Sequence, residues 1–275
     1  MTENPYPVLA VAGSGAIATG LAALATKTSE KVLLLARSES SAERAMAAIE
    51  KTSGRIDGAD PSKVVTTTEV SDLADASLVV EAIIEDLETK VELLARIGNA
   101  APNADLSTTT SSLSVTDIGV ASGHPERLFG LHVFNPVPVM DLVELVLPEA
   151  AGEPIGPRAS RWCELIGKTP VTVPDTPGFV VNRLLFPYLF DAVRFQEQSG
   201  MPSKDVDTCM ALGVAHPMGP LALLDLIGLD VATAIGSALF SDSGNENHRP
   251  PAGVTEKVAA GDLGRKSGRG FYDYN

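Results

Sequence analysis

Cysteine is nearly missing from this chain: Cys163 and Cys209 are the only two in 275 residues. That is too few for a disulfide framework or a cysteine-based zinc site. Long apolar runs are missing too, and no stretch reaches the roughly 18 residues that a membrane-spanning helix needs. Positive charge is in short supply. There are 21 Lys and Arg against 35 Asp and Glu, a formal net charge of −14, which argues against a general binder of nucleic acid or of an anionic membrane. The opening MTENPYPVLAVAG has no basic segment ahead of its apolar stretch, so no secretory signal is expected and a cytoplasmic location is. No internal repeat or low-complexity tract is visible. What is present is ordinary for a globular chain: 44% hydrophobic and 20% charged residues, enough to bury a core in one or two domains. An anionic small ligand remains compatible with the acidic total, provided a local device such as a helix N-terminus or a few placed cations holds it.

Apolar runs at 8–12 and 32–35, with shorter ones at 64–66, 78–81 and 105–108, read as buried strands. Helix-forming stretches at 15–26, 39–52 and 87–99 lie between them. The last carries apolar Leu87, Val91, Leu94 and Ile97 at helical spacing. Strands alternating with helices imply βαβ units and a mostly parallel sheet. Further strands are expected at 128–132, 142–146 and 171–173. Pro174, Pro177 and Gly178 then form a breaker-rich joint. Beyond it the pattern is helical: 179–198, then 203–212 with Ser203 as N-cap, then 221–227, 230–240 and 254–260. The expectation is an α/β fold, a Rossmann-type domain over 1–176 followed by an all-α domain over 177–275.

Gly13-Ser14-Gly15-Ala16-Ile17-Ala18-Thr19-Gly20 joins the first strand to the first helix. Gly13 allows a tight turn, Gly15 a close approach of backbone to a pyrophosphate, and Ala16, Ile17 and Ala18 open the helix that would face the phosphates. Glycines also simply end strands, but the strand–turn–helix context and a second strand at the right distance favour dinucleotide binding. After that second strand come Ala36, Arg37 and Ser38. A carboxylate there would bond the ribose 2′-hydroxyl of NAD, whereas guanidinium and hydroxyl groups suit a 2′-phosphate. This favours NADP over NAD, although Arg37 could equally be a solvated residue after a strand.

His132 should end a strand in the nucleotide-binding half, where ligands sit in such sheets. Glu144 lies inside the apolar run Leu142-Val143-Glu144-Leu145-Val146. A carboxylate buried there needs a partner, and histidine is a natural one. Histidine also suits proton removal from an alcohol during hydride transfer, with a carboxylate behind the ring fixing its tautomer. His124 and His248 sit in polar loop sequence, and His216 beside Pro217 reads as structural.

The motifs Val80-Glu81-Ala82-Ile83-Ile84-Glu85-Asp86-Leu87 and Thr110-Ser111-Ser112-Leu113, with the segments 130–140, 175–182, 216–220 and 264–272, resemble the L-3-hydroxyacyl-CoA dehydrogenase family, which includes the 3-hydroxybutyryl-CoA dehydrogenases. The resemblance spans nearly the whole chain. It implies catalytic roles for Ser111, His132, Glu144 and Asn182, and cofactor contacts at Glu85, Lys90, Ser111, Asn135 and Lys266. It also implies an acyl-CoA substrate, deprotonated at its 3-hydroxyl by the histidine, and a homodimer formed through the helical domain; no nucleic-acid or membrane partner and no metal are expected. Two departures stand out. Ala36 occupies a place where the family carries an acidic residue, which again favours NADP. Only 28 residues lie between Leu35 and Val64, where the family inserts a two-helix hairpin that helps hold CoA. Its second helix is truncated here, and Lys51, Arg55 or Lys63 could replace the lost lysine. A hydroxyacyl group on an acyl-carrier protein, or a free hydroxy acid as in the L-gulonate 3-dehydrogenases, stays open as substrate. So does a noncatalytic, crystallin-like protein on the same fold, against which the retention of all four catalytic residue types argues.

Overall fold

In a computed structural model, residues 4–274 are described, and they divide into two compact units after Thr176. In the first unit the apolar runs become strands of a single eight-stranded sheet. The elements are, in order, β1 (Val8–Ala12), α1 (Ala16–Ala25), β2 (Lys31–Leu35), α2 (Glu39–Ser53), β3 (Val64–Thr67), β4 (Leu78–Glu81), α3 (Leu87–Ala100), β5 (Asp105–Thr108), α4 (Val115–Ser122), β6 (Leu128–Val133), β7 (Leu142–Val146), α5 (Ile155–Leu165) and β8 (Thr169–Val173). The strand order is β3-β2-β1-β4-β5-β6-β7-β8. Neighbours run parallel except β6 and β7, which are antiparallel. The chain turns back on itself there through the loop 134–141 alone, because an antiparallel pair needs no crossover helix. β4, β5 and β6 are buried along their whole length, as expected of strands covered on both faces by helices. α1 buries eight of its ten residues, so its Ala/Leu composition reflects burial more than helix propensity.

Two helices lack a clear signature in the sequence. α4 is short and holds Val115, Thr116 and Gly119, all indifferent helix formers. It is secured at its N-terminus instead. Ser114 accepts from the Asp117 amide at 3.1 Å, and the Asp175 carboxylate accepts from the amides of Val115 at 3.0 Å and Thr116 at 2.8 Å. α5 anchors Trp162 in the core, edge-on to Tyr6.

α3 buries Leu94 and Ile97 as its apolar spacing suggests, but in its first turn Lys90 rather than Leu87 points inward. Its buried positions are Lys90, Leu94, Ile97 and Gly98, while Leu87 is 44% exposed. The inward lysine answers a buried carboxylate on β4, described below.

The second unit is helical: α6 (Val181–Ser199), α7 (Ser203–Gly213), α8 (Pro220–Ile227), α9 (Leu229–Ser243) and α10 (Ala252–Ala259). Phe186, Leu189, Phe190 and Val193 of α6 form its core with Leu221, Leu224, Leu229, Ala232, Leu239 and Val254. α6 starts later than its apolar pattern suggests because Gly178 and Phe179 both take left-handed φ, 79° and 47°, a conformation a helix cannot contain. Ser203 is the first residue of α7 rather than its N-cap. Pro202 precedes the helix, and the Ser203 hydroxyl lies 3.4 Å from Gln196 Nε2. No single described helix is long and apolar enough to cross a membrane.

Candidate active site

The turn after β1 is shaped by its glycines. Gly13 has φ 143°, and a Cβ there would collide with the Ala82 carbonyl oxygen. Ala18 packs against the same spot and is fully buried, so a small residue is needed there for the helix to approach the sheet. Gly15 is different: its backbone is ordinary, and nothing lies within 4 Å of where a Cβ would stand. The protein itself does not require glycine there, whereas a ligand pressed against the backbone would. Gly15 precedes α1 and supplies no side-chain cap, which leaves the first amides of the helix, those of Ala16, Ile17 and Ala18, to meet an anion.

These residues open onto a cleft of about 810 Å³. Gly13, Gly15, Ala16, Ile17, Ala36, Arg37, Glu85 and Asn135 line it, at the C-terminal ends of β1, β2 and β4. Arg96 on α3 lines it as well. Sequence reading passes over Arg96 as an ordinary charged helix position, and only the packing of α3 brings it beside the cleft. A bare glycine backbone, an uncapped helix start and two guanidinium groups fit a dinucleotide with its phosphates. Ser38 departs from expectation. Its hydroxyl caps α2, accepting from the Ser41 amide at 3.3 Å and meeting the Ser41 hydroxyl at 3.0 Å, so Ala36 and Arg37, not Ser38, line the cleft after β2.

Lys90 also departs from the expected direct cofactor contact. It is 1% exposed, and its Nζ donates to Glu81 Oε1 at 2.8 Å, with Glu85 Oε2 at 3.5 Å. Glu81, itself fully buried, further accepts from Thr108 Oγ1 at 2.6 Å and the Ile83 amide at 2.8 Å. A buried carboxylate is tolerable only with such a set of donors. Lys90 thereby supports Glu85, which is the hub of the next loop. Glu85 Oε1 accepts from Thr110 Oγ1 at 2.7 Å, the Ser111 amide at 2.8 Å and the Ser112 amide at 3.0 Å, with the two serine hydroxyls at 3.3 and 3.0 Å. Burial alone would raise the Glu85 carboxyl. Lys90 and these donors outweigh it and hold the group below the ordinary value.

His132 on β6 and Glu144 on β7 stand directly opposite each other in the antiparallel register. Facing residues of such a pair point to the same side of the sheet. Their side chains meet, with His132 Nδ1 2.6 Å from Glu144 Oε2, the histidine 5% and the glutamate 1% exposed. The Phe134 ring packs edge-on against the imidazole, centroids 4.6 Å apart. A carboxylate at Nδ1 selects the tautomer protonated on that nitrogen, so in the neutral ring Nε2 is the basic atom. This is the arrangement of a general acid–base group with an orienting carboxylate. In the second unit, Asn182 is the second residue of α6 and is buried. Lys266 pairs with Asp230 at 2.5 Å.

Comparison with known proteins agrees with this geometry. Residues 8–176 match the NAD binding domain of 3-hydroxyacyl-CoA dehydrogenase and residues 178–274 match its C-terminal domain. A 3-hydroxybutyryl-CoA dehydrogenase of Mycobacterium tuberculosis is 37% identical, covering 96% of this chain and 97% of the relative. The mitochondrial hydroxyacyl-coenzyme A dehydrogenase of Homo sapiens is 36% identical, over 96% and 90%. Among solved structures, M. tuberculosis FadB2 superposes with a TM-score of 0.93 at 35% identity, covering 98% of this chain and 99% of that one. The (S)-3-hydroxybutyryl-CoA dehydrogenase of Ralstonia eutropha gives 0.91 at 32%, with the same coverage. This chain, with its dinucleotide cleft and its His132–Glu144 pair, belongs to the 3-hydroxyacyl-CoA dehydrogenase family.

Proposed function

We propose that this enzyme interconverts a short-chain L-3-hydroxyacyl-CoA, such as 3-hydroxybutyryl-CoA, and the 3-ketoacyl-CoA. The observation that carries the reading is the buried His132–Glu144 pair on strands of the same sheet that forms the dinucleotide cleft. A bound nicotinamide dinucleotide supplies the hydride acceptor, or the donor in the reverse direction. His132 Nε2 takes the proton from the 3-hydroxyl as the carbon–hydrogen bond breaks, and returns it to the oxygen in reduction. Glu144 holds the ring and stabilises the imidazolium that forms. Ser111, fixed through its amide by Glu85, and Asn182 are assigned the positioning of the substrate and the nicotinamide end, on the family pattern.

For the cofactor, NADP is favoured. The buried Ala36 offers no carboxylate to bond a 2′-hydroxyl or repel a 2′-phosphate, and Arg37 and Arg96 both border the cleft. A homodimer through the helical unit is part of the same proposal, supported by Leu184, Phe195 and Leu212, which are 70%, 54% and 81% exposed. One preparation tests these points. Acetoacetyl-CoA should be reduced faster than free hydroxy acids are oxidised, NADPH should bind more tightly than NADH, and sedimentation should give a dimer mass. Faster turnover of free acids rejects the substrate, NADH binding at least as tight rejects the cofactor preference, and a monomer mass rejects the assembly.

A further inference from the structure

The cleft that fits a dinucleotide has a positive end and a negative end, and the strand order fixes which is which. Arg37 follows β2 and Glu85 follows β4, on opposite sides of β1 in the sheet, and both line the cleft. Asn135, just beyond β6, lines it too. His132 places the reaction centre on β6. Hydride transfer needs the reacting atoms almost in contact, so the nicotinamide end belongs on the β4–β6 side and the adenosine end beside Arg37.

The negative charge at the Glu85 end is left over. Two carboxylates, Glu81 and Glu85, share one ammonium there. Lys90 Nζ donates to Glu81 Oε1 at 2.8 Å and stands 3.5 Å from Glu85 Oε2. Lys90 and Glu81 are both buried and pair with each other. Glu85 reaches the edge of the cleft, and its other donors are neutral: the Thr110 hydroxyl and the amides and hydroxyls of Ser111 and Ser112. Neutral donors fix a carboxylate in place without cancelling its charge. Its carboxyl is held below the ordinary value, so it is ionised at neutral pH. The three residues before it, Ala82, Ile83 and Ile84, also line the cleft, and an apolar surround screens a charge less than water does. Glu85 is the one acidic side chain among the described residues lining the cleft.

We propose that Glu85 and Glu144 hold the two stations of one moving positive charge, and that Glu85 thereby sets the balance of the site between oxidised and reduced cofactor. The proposal rests on the nicotinamide-cofactor reading above and does not depend on the 2′-phosphate. In oxidation of the 3-hydroxyl, the C3–H bond breaks and its electron pair leaves with the hydrogen as hydride for the nicotinamide. The O–H bond breaks as well, its proton goes to His132 Nε2, and its electron pair completes the carbonyl. One positive charge has then passed from the oxidised nicotinamide to the imidazole. Glu144, with Oε2 2.6 Å from His132 Nδ1, favours the charge at the second station. Glu85 favours it at the first, and so offsets part of the pull that Glu144 exerts toward the ketone and the reduced cofactor.

The test is a ratio of dissociation constants, oxidised over reduced cofactor, measured by titration without substrate. It is taken with NADP⁺ and NADPH and with NAD⁺ and NADH, on the wild type and on Glu85→Gln, Glu85→Asp and Arg37→Met. Glutamine keeps an acceptor for the Ser111 and Ser112 amides and removes the charge. In Glu85→Gln the ratio should rise by about threefold or more, the weight of a partly screened charge pair. Glu85→Asp keeps the charge, so its ratio should stay near the wild-type value even as both affinities fall. Arg37→Met acts at the other end and should weaken both forms alike. A glutamine variant that binds reduced cofactor with an unchanged or lowered ratio overturns the proposal. So does an aspartate or Arg37 variant whose ratio rises by about threefold, which keeps the test decisive should the glutamine variant not fold. A wild type that binds neither cofactor pair overturns the cofactor reading, and the proposal with it.

Discussion

Glu81, Glu85 and Glu144 are carboxylates on or beside apolar strands, and each is matched by a donor rather than by water. For Glu81 and Glu144 burial forces that pairing, because an isolated charge in a core is far too costly, whereas the Glu85 side chain stays 35% exposed at the edge of the cleft. For Glu144 this logic was legible in the sequence, since the apolar run around it had to place the carboxylate inside. For Glu81 it was not. Its partner Lys90 lies between Leu87 and Val91 on a helix whose apolar spacing does not mark the lysine as an inward residue. Glu85 carries a separate prediction. Glu85→Ala would leave the amides of Ser111 and Ser112 without their acceptor and should raise the Kd for NAD(P)H by about tenfold, a charge-assisted contact being at stake. Because the folded-state carboxyl is held below its ordinary value, the stability Glu85 adds is present above the ordinary glutamate pKa and is lost as pH falls through the lower folded value. Urea unfolding of the two proteins between about pH 6 and about pH 3 should therefore show a stability gap that closes on acidification. A gap that is absent at neutral pH contradicts the role given to Glu85.

Among the elements, the strands were the most legible, because strands buried over most of their length read as short apolar runs bounded by breakers, and β1, β2 and β4 do so. The antiparallel turn from β6 to β7 was not legible. Sequence shows the two runs but not their register, and it is the register that sets His132 opposite Glu144. α4 escaped notice because its support comes from Asp175, sixty residues along the chain from Val115. Asp175→Ala should cost about 1–2 kcal/mol, the usual loss for a helix cap, with the urea midpoint falling and the slope unchanged. A midpoint equal to the wild type would show that Ser114 alone secures the helix. Pro187 inside α6 is a case where tertiary packing overrides a local rule. Its neighbours Phe186, Leu189 and Phe190 are all buried in the helical core.

For the whole molecule, the acidic total and the anionic ligands are reconciled by placement. Arg37 and Arg96 border the dinucleotide cleft, and Lys27, Lys51, Arg55 and Lys168 border a second groove. The breaker-rich joint at Pro174–Gly178 was plain in the sequence, and the chain divides after Thr176. The grouping of four cations was hidden, because they come from segments as far apart as Lys27 and Lys168 and meet only when α1, α2 and the loop 135–141 pack together. The central claim is that His132, oriented by Glu144, moves the proton while the dinucleotide takes the hydride. Its most direct test is the steady-state reduction of acetoacetyl-CoA by His132→Gln, with NADPH binding measured on the same protein. The account predicts a kcat lower by about 10²–10⁴-fold, the usual cost of losing a general acid–base group, with NADPH binding close to the wild-type value. A variant that binds NADPH normally and keeps a near wild-type kcat would contradict it.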